Sequence, residues 1–198
     1  KFKKTNNLKY LVFSSVFLAL LMITHNLIFL PFVLLLPVYV FYLAVESATG
    51  IKFLAKSIAA VIFSLGLCAF FWIPAVLDLQ YTVFSQTKIS DFTSYFASLN
   101  LIGAISILVI LLTAVFILLG KIKIKQHRLT LLMLILSVIS IFFATPFSTF
   151  LWQILPVSFI QFPFRFLSIT LICISFLAAS LISVLDKRYK VIAAIILL

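Results

Sequence analysis

The arginine of "SFIQFPFRFL", Arg165, is the side chain here best suited to holding an anion. A guanidinium fork matches the oxygens of a phosphate in a way that a lysine ammonium does not. Carried to the middle of a bilayer it would cost about 2.5 to 3.5 kcal/mol, so it must reach water, a carboxylate or a phosphate. The plain alternative is a side chain that snorkels to lipid head groups.

His25 and Asn26 stand at the tip of a tight hairpin, "LLMITHNLIFLPF". Asn26 has the side chain of a helix cap, and His25 can transfer a proton or bind a phosphate. Asp78 follows "FFWIPAVL" and, with Asp91, supplies the carboxylates of one membrane face. Such a pair could hold a divalent cation or act as a base; a solvated carboxylate, or one paired with Arg165, is the simpler reading. Cys68 and Cys173 lie within apolar runs, where a thiol behaves as a small hydrophobe, and no disulfide is expected. His25 and His127 fall on opposite faces, so neither a zinc cluster nor a Ser-His triad is expected.

These groups need elements to position them. Hydrophobic residues make up 65% of the chain and charged residues 10%, with a mean hydropathy of +1.35. That is too little charge to cover a water-soluble globule. Apolar runs over 8–23, 27–45, 57–75, 101–119, 129–144 and 166–185, and a start at 191, predict six crossings and the beginning of a seventh. The runs are continuous and do not alternate, which selects helices over a barrel. The expectation is an all-α polytopic transmembrane bundle over residues 1–198, a single membrane domain without a soluble domain. A chain that opens on Lys1 and stops in "VIAAIILL" reads as a fragment of a larger protein.

Basic residues test the count. All but Lys88 and Arg165 fall before the first crossing or after the second, fourth and sixth. By the positive-inside rule the amino end is cytoplasmic, and His25, Asn26, Asp78, Asp91 and Arg165 lie toward the outer face. The net charge of +11 reflects topology and the anionic inner leaflet, not nucleic acid. The scattered glycines form no phosphate loop, so a cytoplasmic nucleotide site is excluded.

Two longer segments, 77–100 and 145–165, face outward. In "TPFSTFLWQILP", Thr145 can cap, Pro146 fits a first turn and Pro156 closes a short interfacial helix. Phe147, Phe150, Leu151, Ile154 and Leu155 form its apolar face, with Ser148, Thr149 and Gln153 opposite and Trp152 alongside. Ser90 could cap a weaker copy striped by Phe92, Tyr95, Phe96 and Leu99. Both either seal the membrane edge or roof a cavity for a lipid head group.

Three stretches, "THNL", "FFWIPAVLDLQY" and "LPVSFIQFPFRFL", together resemble the membrane proteins described as 6-pyruvoyl-tetrahydropterin synthase-related, grouped with the GT-C glycosyltransferases. The resemblance spans about Thr24 to Leu167. Phe164 stands where that family usually has tryptophan, and Asp78 where it often has glutamate. It covers His25, Asn26, Pro74, Asp78, Gln161, Pro163 and Arg165. It implies a GT-C-like fold and sugar transfer from a polyprenyl-phosphate carrier at the outer face of the cell membrane. It also implies an acidic catalytic residue upstream of Lys1, leaving the base of this fragment unknown. Arg165, His25, Asn26, Asp78 and Gln161 are then expected to bind substrate. No cofactor is evident, though the full-length protein could use a divalent metal. The expected partners are membrane lipids and a polyprenyl-phosphate-linked sugar. The alternative is a non-enzymatic protein of lipid or polysaccharide transport, or of envelope assembly.

Overall fold

The computed structural model describes residues 7–47, 50–81, 92–123, 127–154 and 162–185. Every regular element among them is helical. The chain divides into two compact units, Lys1–Lys88 and Ile89–Leu198.

In the first unit, α1 (Lys9–Thr24) turns at His25 into α2 (Asn26–Val45), followed by α3 (Gly50–Leu67) and α4 (Ala69–Leu77). α3 packs on α1 and α2. Buried Ala44 and Phe53 form the centre of this contact, with Tyr10, Leu11, Val40, Leu43 and Leu54 around them. Ser15 links α1 to α3 by donating its hydroxyl to the Ala60 carbonyl at 2.8 Å.

The second unit has α5 (Leu99–Ile102), α6 (Ala104–Leu118), α7 (Arg128–Ala144), α8 (Thr149–Ile154) and α9 (Leu167–Val184). α9 lies against α7 and α6, around a core of Val109, Ile122, Ile174, Leu177 and Leu181. Two hydroxyl pairs tie α7 to α9: Ser140 with Thr170 at 2.9 Å, and Thr130 with Ser180 at 3.2 Å.

Polarity runs inside out. Among the described residues the buried polar side chains are hydroxyls, such as Ser15, Ser64, Thr113, Ser137, Ser140, Ser148 and Thr170, while Phe17, Phe41, Phe70, Leu118 and Leu171 are exposed. Small hydroxyl residues between helices and large apolar residues outside suit lipid, where packing and interhelical hydrogen bonds replace the hydrophobic effect. No described buried side-chain oxygen or nitrogen lacks a partner.

Ile28–Val45, Gly50–Leu67 and Pro163–Val184 are long and apolar enough to cross a membrane. These helices give the chain the build of an integral membrane protein. Of the six expected crossings, α7 reaches span length only if joined to the segment after it, through an 80° bend. α1, with 16 residues, and α6, with 15, are shorter. At 1.5 Å per residue they reach about 22 to 24 Å against a hydrocarbon core of about 30 Å.

Two expected crossings are also interrupted. The run 57–75 is part of a helix that starts at Gly50 and breaks at Cys68. Apolarity marks where lipid begins, whereas the helix extends beyond it through the turn carrying Lys52 and Lys56. The Trp72 indole donates across that break to the Leu65 carbonyl at 2.9 Å. The run 101–119 breaks at Gly103, whose φ of 81° and ψ of 137° are open only to glycine. The expected start at residue 191 lies outside the described residues.

Candidate functional site

Arg165 sits in a 3-10 turn, Pro163–Phe166, that leads straight into α9. Pro163 supplies the fixed φ of a first turn and loses no helix hydrogen bond there. Its ring and Phe166 are buried, which fixes the turn from below. The Arg165 amide donates to the Phe162 carbonyl at 3.1 Å, and the Ser168 hydroxyl donates to the Arg165 carbonyl at 2.7 Å. The backbone that carries the guanidinium is therefore held on both sides.

The side chain is half-buried and its guanidinium carbon stands 4.5 Å from the centroid of the Phe162 ring. A delocalised cation over an aromatic face is attracted by the ring quadrupole and is more easily desolvated than an ammonium. Phe162 stacks on Phe164 at 5.4 Å and meets Tyr95 at 4.7 Å. Arg165 is thus one edge of an aromatic collar built from the turn and from the 3-10 segment Phe92–Tyr95.

A second aromatic layer supports the first. Phe166 stacks on Phe143 at 5.0 Å and meets the Trp152 ring edge-on at 6.1 Å; Trp152 in turn stacks with Phe92 at 5.8 Å. Phe166 is in this way packed against α7 and α8, and Phe162 against the segment before α5.

The short helix of "TPFSTFLWQILP" is present as a 3-10 turn, Pro146–Ser148, continued by α8. One expectation about it is corrected. Thr145 holds the cap position without capping: its hydroxyl donates back to the Phe142 carbonyl at 3.0 Å. The inward face is formed by Ser148 and Trp152, while Phe147, Phe150 and Ile154 are exposed. In lipid the apolar stripe of such a helix faces outward, and the inward side belongs to the groups that satisfy neighbouring backbone.

His25 caps α2 by accepting the Ile28 amide at its Nδ1, 3.3 Å away. The expected cap, Asn26, is instead the first residue of α2. An imidazole that accepts at Nδ1 carries its proton on Nε2. His25 is exposed, so it has a structural task yet keeps a donor for a ligand. Asp78 is exposed at the C-cap of α4, where it opens the 3-10 turn Asp78–Tyr81.

His25, Asn26 and Asp78 belong to the first unit and Arg165 to the second. Gln161 and Asp91 lie outside the described residues, as do Ser90 and Pro156. Among the described residues there is no cluster of three or more His, Cys, Asp or Glu able to hold a metal ion. Cys68 and Cys173 are free and buried; the Cys68 thiol donates to the Ser64 carbonyl at 3.0 Å and lies 3.3 Å from the Met22 sulfur. The sequence reading passed over Phe162, Tyr95 and Trp152 as ring partners. The aromatic spacing in "QFPFRF" is the signal that could have found the first of them.

No family model, curated protein or solved structure matches this chain.

Proposed function

We propose that this chain is part of an integral membrane glycosyltransferase-like protein that moves a sugar from a polyprenyl-phosphate donor at the outer face of the membrane. The observation that carries the reading is Arg165, a half-buried guanidinium held against Phe162 at the mouth of a helix long enough to span the bilayer. A polyprenyl phosphate presents an anionic head at the depth where its chain enters lipid. A fork-shaped cation inside an aromatic collar suits that head electrostatically, and the ring faces suit the apolar stem or a sugar face. Gln161 is a further proposed substrate-binding residue of the same unit as Arg165, and His25, Asn26 and Asp78 are proposed substrate-binding residues of the first unit.

Replacing Arg165 with Ala in the full-length protein tests this. Transfer from a polyprenyl-phosphate sugar should fall by two orders of magnitude or more while membrane insertion is unchanged, and Arg165→Lys should recover only a fraction. Wild-type transfer by the alanine variant would refute the phosphate role.

Transport of a lipid or polysaccharide is the second reading. The helix breaks at Cys68 and Gly103 favour it, because transporters build their sites from interrupted helices. Against it, the described helix interiors bury only hydroxyls and thiols among their polar groups. Donor-independent flux of a labelled polyprenyl phosphate across vesicles, without sugar transfer, would select this alternative.

A further inference from the structure

The turn between α7 and α8 is finished in an unusual way for a helix end. The last carbonyls of a helix have no intrahelical partner and ordinarily take water. Here the last three are served by the protein. The Phe142 carbonyl accepts from the Thr145 amide at 3.2 Å and the Thr145 hydroxyl at 3.0 Å. The Phe143 carbonyl accepts from the Ser148 hydroxyl and from the Trp152 indole, each at 3.1 Å. The Ala144 carbonyl accepts from the Ala97 amide at 2.7 Å. Ala144, Thr145, Ser148 and Trp152 are all buried. Irregular backbone at membrane depth is tolerated only when its polar groups are satisfied within the protein, and these three carbonyls meet that condition.

Beyond the elbow the chain runs at 80° to α7. Phe147 is 80% exposed, Phe150 54% and Ile154 76%, while Trp152 is only 5% exposed. At about 100° per residue the three exposed side chains form one ridge on the side of the helix opposite Trp152. Gln153, also exposed, lies on its flank. On α7, exposed Ile135, Val138 and Ile139 share a face with Phe142, whose ring meets Phe150 at 6.4 Å, so the ridge continues that apolar surface.

We propose that this elbow is seated in the membrane interface, with Phe147, Phe150 and Ile154 inserted among the acyl chains just below the lipid phosphates, so that the segment lies along the surface and does not cross. The occupant of the ridge is lipid: it is continuous with the surface that α7 turns to the bilayer, and the backbone behind it is closed to water. The proposal stands independently of sugar transfer.

The test uses the whole chain with Cys68→Ala and Cys173→Ala, reconstituted in vesicles of phosphatidylcholine and phosphatidylglycerol. A nitroxide is attached in turn at Phe147→Cys, Phe150→Cys, Gln153→Cys and Ile154→Cys. Positions 147, 150 and 154 should report one common depth just under the phosphates, with oxygen collisions exceeding those with a water-soluble nickel chelate; position 153 should report the reverse. A depth that grows steadily from 147 to 154 would make the segment part of a crossing. Shielding from both reagents would put protein over the ridge, and nickel-dominated collisions at all four sites would put it in water. Each of these three outcomes overturns the proposal. Should the cysteine replacements disturb folding, Phe150→Trp and Gln153→Trp in the chain with native cysteines give the same reading through lipids brominated near the carbonyl end of the acyl chain. Quenching of the added fluorescence at position 150 should be at least twofold that at 153, and equal quenching would reject the model.

Discussion

The chain changes direction after a helix at His25 in the first unit and at Thr145 in the second, and the two turns are finished by opposite means. At His25 the residues are exposed and the work is local: the Thr24 hydroxyl donates to the Leu20 carbonyl at 2.9 Å, and the imidazole caps α2. At Thr145 the residues are buried, and donors arrive from as far away as Ala97 and Trp152. A turn that water can reach needs few protein partners. One that water cannot reach needs a partner for every carbonyl, and tertiary structure must bring them. The contrast teaches that a turn's depth can be read from where its hydrogen bonds come from, with no membrane in view.

Substitutions can break this contrast. Trp152→Ala should have the largest effect, because it removes a buried aromatic and one donor to the Phe143 carbonyl. A loss of about 3 to 5 kcal/mol is expected in unfolding from detergent micelles. Trp152→Phe, which keeps most of the ring but not the N–H, isolates the donor, and Ser148→Ala removes its companion on the same carbonyl. Each should cost about 1 to 2 kcal/mol, and the double variant should cost more than the sum, since the carbonyl is then left without either partner.

At the exposed turn the numbers shrink. His25→Ala removes the cap and should cost about 1 kcal/mol, with His25→Asn restoring most of it. Hydrogen exchange at the Ile28 amide is the sharper readout and should quicken in the alanine variant. Thr24→Ala should be smallest, within about 0.5 kcal/mol, because water replaces the hydroxyl. If His25→Ala proved as damaging as Trp152→Ala, the distinction between a wet and a dry turn would fail.

Helix positions were largely legible because hydrocarbon imposes a length and an unbroken apolarity on whatever enters it. Thus the observed α1, α2, α7 and α9 begin or end within a residue or two of the expected runs. The breaks were not legible. Cys68 carries no breaker chemistry of its own, and Gly103 announces itself only through a φ that composition does not show. The cap at His25 was misplaced by one residue because an imidazole is a less habitual capping group than an amide. Arg165 stood out in the sequence by its rarity, yet Tyr95, which meets its ring partner Phe162, is seventy positions upstream of it and could be found only in the folded chain.

After Gly120, whose φ of 69° ends α6, the chain turns back and Ile122 enters the core while Lys121 and Lys123 remain exposed. A segment of this kind is usually a loose tether whose ammonium groups wander. Here one apolar tooth pins it, so two cations are fastened at a set height beside the helix end. Reversing the chain across the bilayer would have to drag both charges through hydrocarbon and also pull that tooth from its socket, which binds the protein's orientation to its packing.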